Sequence, residues 1–256
     1  MIWYCRINGF MPDRNNETVV KGVLICQKGV EMLCIYIADL MGLEDFYDEK
    51  VNMLHQARAD KLQAYKMLAD RIRGLGAGLL LENGLKDYLK TDLPKDALGR
   101  PVIEYTYGIH GKPYLKDYPE IFFSLSHSGT MAALALSDGE IGIDIQESRG
   151  YSEKIAKRFY HKDEFAMLQA VKEENGREKL FYQIWTGKEA YIKYTGTGMG
   201  QDLQHFYVNI AKEAICSEGQ TVAYYKNILL DKNGYFCSLV FDKNSQKIDK
   251  IVKMQL

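Results

Sequence analysis

Asp144, Glu189 and Lys193 have side-chain types that, brought together, could bind a hard cation and a phosphate chain. Asp144 lies in Ile141-Gly142-Ile143-Asp144-Ile145, a run of β-branched residues that reads as a strand. Glu189 and Lys193 lie in Trp185-Thr186-Gly187-Lys188-Glu189-Ala190-Tyr191-Ile192-Lys193, which reads as helix. Glu189, Lys193 and Trp185 fall on one helical stripe at spacings of four, and Trp185 packs that stripe toward the interior. A carboxylate there is costly without a partner, and magnesium held by one or two carboxylates around a phosphate resolves that cost. An ordinary surface ion pair between Glu189 and Lys193 is the competing reading. Asp144 shares a strand face with Gly142 and Gln146, so it faces either a cleft or solvent, and Gly142 would admit a large ligand to the backbone. His127, Lys188 and Lys193 would then meet phosphate oxygens. That inventory suits phosphoryl-type transfer from a diphosphate donor.

His127 stands in Phe123-Ser124-Leu125-Ser126-His127-Ser128-Gly129. With period two, Phe123, Leu125 and His127 share one face and the three serines the other. A serine-hydrolase pairing of Ser126 with His127 is therefore disfavoured, and no G-x-S-x-G elbow exists in the chain. Gly74-Leu75-Gly76-Ala77-Gly78 lacks dinucleotide-loop spacing and sits within a helical pattern, so it reads as close helix packing.

The elements that must position these groups alternate in type. Met1 to Gly9 and Glu31 to Ala38 read as strands, and about Glu44 to Lys90 as helix in two or three pieces. Arg58, Lys61, Lys66, Arg71 and Arg73 decorate this helical stretch, and alone they describe a solvated basic face. Pro101–Tyr107, Ile121–Ser126, Met131–Leu136 and Ile141–Ile145 read as strands, with an Asp138-Gly139 turn before the last. Ser152–Phe159, Lys162–Glu174 and Arg177–Tyr194 read as helices. Strands return at Phe206–Ile210, Thr221–Leu229 and Tyr235–Phe241. This order, β-α-β twice, predicts an α+β protein of two similar halves, divided as residues 1–138 and 139–256.

Across 256 residues the net charge is −1, which argues against a broad nucleic-acid-binding field. Five cysteines without a CxxC pair argue against a disulfide framework or thiolate zinc site and for a reducing compartment. No apolar run approaches the roughly 18 residues of a membrane span, and no signal-peptide h-region opens the chain, so a cytoplasmic, membrane-free protein is expected.

Together and in order, Gly111-Lys112-Pro113, Ser126-His127-Ser128-Gly129, Gly142-Ile143-Asp144-Ile145 and Trp185-x-x-Lys188-Glu189-Ala190-x-x-Lys193 resemble the Sfp-type 4′-phosphopantetheinyl transferases. The resemblance runs from about Arg58 to Gly196. It implies a pseudo-dimer of two α+β subdomains, with antiparallel sheets packed on long helices. The nucleotide side of coenzyme A would lie in 1–138 and the metal and catalytic carboxylates in 139–256. It implies Mg²⁺-dependent transfer of phosphopantetheine from coenzyme A to a serine of an acyl or peptidyl carrier protein by a monomer, with Mn²⁺ as an alternative ion. Asp144 and Glu189 would bind the metal, Glu189 serving also as general base. Lys193 and His127 would contact the diphosphate, with Lys188 in support. Lys112 and Ser126 would lie near the nucleotide, and Arg58, Lys61 and Arg71 or Arg73 would grip the 3′-phosphate. Many members carry a third carboxylate where this chain has Gln146; its amide oxygen or a water would substitute, because Glu147 points from the other strand face. A different coenzyme A- or nucleotide-dependent enzyme, such as an acyltransferase, and a catalytically silent module binding coenzyme A or a carrier protein remain as alternatives.

Overall fold

The computed structural model describes residues 33–242 and 248–256. The strand expected at Met1 to Gly9, and Cys5 and Cys26, lie outside the described residues. The described chain runs β1 (Leu33–Asp39), α1 (Tyr47–Val51), α2 (Gln56–Gln63), α3 (Leu68–Leu89), β2 (Tyr105–Tyr107), β3 (Pro113–Leu115), β4 (Phe122–Ser128), β5 (Met131–Ser137) and β6 (Ile141–Glu147). It continues through α4 (Glu153–Phe159), α5 (Lys162–Ala170), α6 (Glu174–Thr195), β7 (Phe206–Asn209), β8 (Ala214–Ser217), β9 (Gln220–Ile228), β10 (Tyr235–Phe241) and β11 (Lys250–Met254).

Two sheets form, ordered β11-β1-β5-β4 and β6-β10-β9-β8-β7, beside the small β2–β3 ribbon. One pattern recurs in both. β1 and β6 each pair antiparallel with a later strand, β5 or β10, whose other antiparallel neighbour is β4 or β9. A 22-residue helix, α3 or α6, covers one face of each sheet. The α+β class and its paired halves are thus present. One connection crosses the expected division: β11 returns from the end of the chain to pair in parallel with β1.

Period-two burial explains the layering. Tyr36 and Ala38 of β1 face α3 together with Leu134 and Leu136, while Leu33, Ile35 and Ile37 face the other way. There they meet Ile141, Ile143 and Ile145 of β6 and Leu239 of β10, in a core shared by both sheets. β4 carries serine on this shared side. The Ile143 N–H donates to Ser124 Oγ at 2.9 Å, the Glu147 N–H donates to Ser128 Oγ at 3.0 Å, and Ser126 Oγ–H donates to Asp144 Oδ1 at 2.7 Å. Serine side chains thereby satisfy the free edge of β6 where no backbone ladder joins it to β4.

The glycines of α3 act as expected from a helical pattern. A Cβ at Gly74 would come within 2.4 Å of Leu62, and one at Gly78 within 2.6 Å of Arg58 Nε. Gly142 turns out differently from its sequence reading as a ligand-approach point. A Cβ there would lie 1.9 Å from the Ala190 carbonyl oxygen and 2.5 Å from the Tyr194 nitrogen, so the backbone of α6 fills the space. β3, β8 and β11, at three to five residues, are too short to show a sequence period. Gly142→Ala should therefore lower unfolding stability by at least about 2 kcal/mol in a denaturant titration, since backbone cannot rotate away as a side chain can. An unchanged midpoint would contradict this packing.

Candidate active site

The close contact at Gly142 sets the site, because the next residue on the same strand face is Asp144. Asp144 is 6% exposed and meets the α6 stripe of Glu189 and Lys193. Lys193 Nζ donates to Asp144 Oδ1 at 2.7 Å and to the Ile143 carbonyl at 3.1 Å. Asp144 Oδ2 is buried with no partner among the described residues. Glu189 is half-buried, with no hydrogen bond or ion pair among the described residues. Burial, and then the charge of Asp144, raise its pKa against the opposing pull of Lys193.

Two carboxyl groups that repel one another, one with an orphaned buried oxygen, form a donor set that a divalent cation satisfies. Gln146 shares the strand face of Asp144 and is half-buried. The described residues contain no cluster of three or more His, Cys, Asp or Glu able to hold a metal. An ion here would therefore keep water or ligand oxygens, as magnesium does around phosphates. Glu147 accepts from Tyr235 Oη at 3.0 Å on the opposite face and takes no part.

A cleft opens beside these groups, between the halves. Its larger lobe, about 790 Å³, is walled by Leu81, Ile103, Tyr105, Tyr107 and Phe123. Its smaller lobe, about 380 Å³, holds Ser126 and His127. Arg58, Lys61 and Lys193 line both lobes, so three cations gather where the lobes meet. Arg58 Nη2 donates to the Gly74 carbonyl at 3.4 Å, while its Nε is buried with no partner among the described residues. His127 has its pKa held below the usual imidazole value, first by desolvation and then by Lys193, Arg73 and Arg58. An imidazole within the field of three cations is an anion-binding arrangement.

The structure separates the remaining expected residues. Ser126 lines the smaller lobe, but its hydroxyl orients Asp144. Lys112 lines the larger lobe, yet its ammonium is engaged by Glu140 at 2.5 Å and by the Tyr194 carbonyl at 2.9 Å near the end of α6. Arg71 lines neither lobe; its Nε donates to the Tyr65 carbonyl at 2.8 Å and braces the loop before α3. Arg73, the other basic residue considered there, is the one whose charge reaches His127.

Lys188 requires a correction, because its ammonium points away from the cleft and is 0% exposed. It bonds Glu164 at 2.8 Å and the carbonyls of Leu203 and Phe206 at 2.8 and 2.7 Å. Successive helical residues diverge by about 100°, so Lys188 and Glu189 cannot serve the same site. Glu164 also accepts the N–H groups of Val208 and His161, tying α5, α6 and β7 together. Sequence reasoning missed Glu82, a carboxyl in the larger lobe, because in sequence it is one acidic residue on a long helix.

A metal-compatible carboxylate pair beside a cation-lined, two-lobed cleft has the donor set that a diphosphate-bearing ligand would need. Comparison with known proteins agrees. Residues 140–239 match the model of the 4′-phosphopantetheinyl transferase superfamily. The chain is 35% identical to the 4′-phosphopantetheinyl transferase Sfp of Bacillus subtilis over 116 residues, 45% of this chain and 51% of that protein. It is 36% identical to the 4′-phosphopantetheinyl transferase psf-1 of Bacillus pumilus over 104 residues, 41% of this chain and 44% of that one. It is 32% identical to the 4′-phosphopantetheinyl transferase gsp of Aneurinibacillus migulanus over 163 residues, 64% of this chain and 62% of that one. The resemblance to the Sfp-type enzymes read from the motifs is therefore real, and the match spans about half the length of these relatives.

The buried ion pair yields a test of the Lys188 assignment. Lys188→Met should cost about 3–5 kcal/mol of stability by leaving Glu164 charged and buried without its cation. Lys193→Met, at a half-exposed position, should cost far less. Equal losses in chemical denaturation would refute the distinction.

Proposed function

We propose that this chain transfers the 4′-phosphopantetheine group of coenzyme A to a serine of an acyl or peptidyl carrier protein, releasing 3′,5′-ADP. The observation that carries this reading is the orphaned Asp144 Oδ2 within the charge field of the unpaired Glu189, beside Lys193, which bonds Asp144 and lines both lobes of the cleft. In this reading residues 1–138 supply the nucleotide side, through Arg58, Lys61, Arg73 and His127. Residues 139–256 supply the carboxylates and Lys193. The enzyme acts as a monomer in the cytoplasm, without nucleic acid or membrane. Three buried free cysteines, Cys34, Cys216 and Cys237, suit a reducing compartment, and no helix among the described residues is long and apolar enough to cross a membrane.

Asp144 and Glu189, with the Gln146 amide as a third donor, would hold Mg²⁺ or Mn²⁺, which when bound neutralises charge on a diphosphate. Arg58, Lys61 and Lys193 attract and orient the diphosphate, and His127 donates a hydrogen bond to its oxygens. Glu189, its pKa already raised by burial, takes the proton of the carrier serine hydroxyl directly or through one water. The serine oxygen forms its bond to the β-phosphorus as the bond from that phosphorus to the 3′,5′-ADP oxygen breaks. Lys193 meets the charge on the departing group.

Helix α4 supports a docking surface for an acidic carrier. It carries Lys154, Lys157 and Arg158, and Phe159 packs edge-on against Trp185 of the catalytic helix at 5.8 Å. Lys157 pairs with Glu153 at 2.8 Å, and Arg158 lies over the Phe159 ring at 5.0 Å.

Intact mass spectrometry of an apo carrier protein, incubated with the chain, coenzyme A and Mg²⁺, tests the activity. One phosphopantetheine should be gained, and a chelator should prevent it. Asp144→Ala and Glu189→Ala should each lower the rate by at least about 10²-fold, while Gln146→Glu retains transfer. No gain across several carriers, despite coenzyme A binding, would overturn the proposal. Reversing Lys157 and Arg158 to Glu should raise the carrier KM and flatten its salt dependence, with kcat held; unchanged kinetics would put docking elsewhere.

A further inference from the structure

Two acidic residues that the mechanism leaves unused line the larger lobe: Glu104 is paired with Lys116, whereas Glu82 is not paired. It projects from α3, is only 6% exposed, and has no hydrogen bond or ion pair among the described residues. Lys86 and Arg58 act on it only through their charges, which do not offset burial, and its carboxyl is pushed up to about 7. The lobe's apolar wall is Leu81, Ile103, Tyr105 and Phe123, and cations including Arg58 and Lys61 line it as well. A carboxyl in such surroundings is stabilised only by a donor that arrives with the ligand.

The character of that donor follows from the neighbouring groups. Phosphates are drawn to the cations where the lobes meet, and a carboxylate repels them, so Glu82 faces an uncharged part of the ligand. Planar aromatic walls favour a planar heterocycle. A carboxylate beside such a ring accepts hydrogen bonds from an exocyclic amine, as in carboxylate recognition of amino-bearing bases. On the coenzyme A reading above, we propose that Glu82 reads the amino group of the ligand's purine and so selects adenine over its deaminated form. Hypoxanthine presents a carbonyl at that edge, and above about pH 7, where the Glu82 carboxyl is ionised, its lone pairs would face those of the carboxylate.

Calorimetric titration of the full chain with 3′,5′-ADP and with its inosine counterpart measures this directly. The unmodified protein should favour the adenine compound by at least about tenfold. Glu82→Gln should shrink that preference, since its amide can accept from the amine or donate to the carbonyl. Equal affinity of the unmodified protein for the two bases would overturn the assignment while leaving the coenzyme A reading intact, and it needs no variant. So would an undiminished preference in Glu82→Gln with an unaltered melting curve. If neither 3′,5′-ADP nor coenzyme A binds, the reading on which this rests falls as well.

Discussion

The approach of α6 to β6 at Gly142 is the constraint on which the site depends. Helix backbone occupies the place where any side chain would project, so the helix axis is held closer to the strand than a residue with a Cβ permits. At that separation Asp144, two residues along β6, meets Glu189 and Lys193, one turn apart on α6. The far side of the helix is secured by different means. Lys188 and Glu164 form an ion pair inside the second core, surrounded by backbone carbonyl and N–H partners. Neighbouring residues of one motif thus divide the work: Lys188 holds the helix and Glu189 faces the cleft.

A second constraint joins the halves. The serines of β4 bond to β6 where strand pairing stops, and Ser126 does so through Asp144 itself. The carboxylate that would receive a metal is therefore oriented from both halves, by a hydroxyl from the first and an ammonium from the second. The cleft inherits this arrangement. Arg58, Lys61 and His127 come from the first half and Lys193 from the second, so a ligand bridging the lobes touches both. Arg58, Lys61 and Lys193 line both lobes, Lys193 links the cleft to Asp144, and Glu82 lines the larger lobe with the aromatic rings.

Much of this was legible along the chain. Short apolar runs marked β5 and β10, alternating isoleucines marked β6, and helical spacing marked α3 and α6. Strand and helix periodicity and the expense of a buried carboxylate singled out Asp144 and the Glu189–Lys193 stripe separately, and that the two share a site was what the family resemblance implied. Lys188 was not legible. Its role depends on Glu164 and on two carbonyls contributed by other elements, and no local pattern records which face of α6 they cover. Arg71 and Arg73 were indistinguishable for the same reason, since a two-residue difference on a helix becomes meaningful only once α2 and β4 are in place.

Residue types, their order and their periodicities determined the α+β class, the long helices, the carboxylate–cation inventory and the motif resemblance, because each arises from interactions within a few neighbouring residues. Tertiary structure decided the rest. It placed the helix on Gly142, turned Lys188 into the core, set the serines against β6, added β11 to β1 and isolated Glu82 in the cleft. Those outcomes come from long-range packing, where the burial and pairing of a polar group depend on elements far away in the chain.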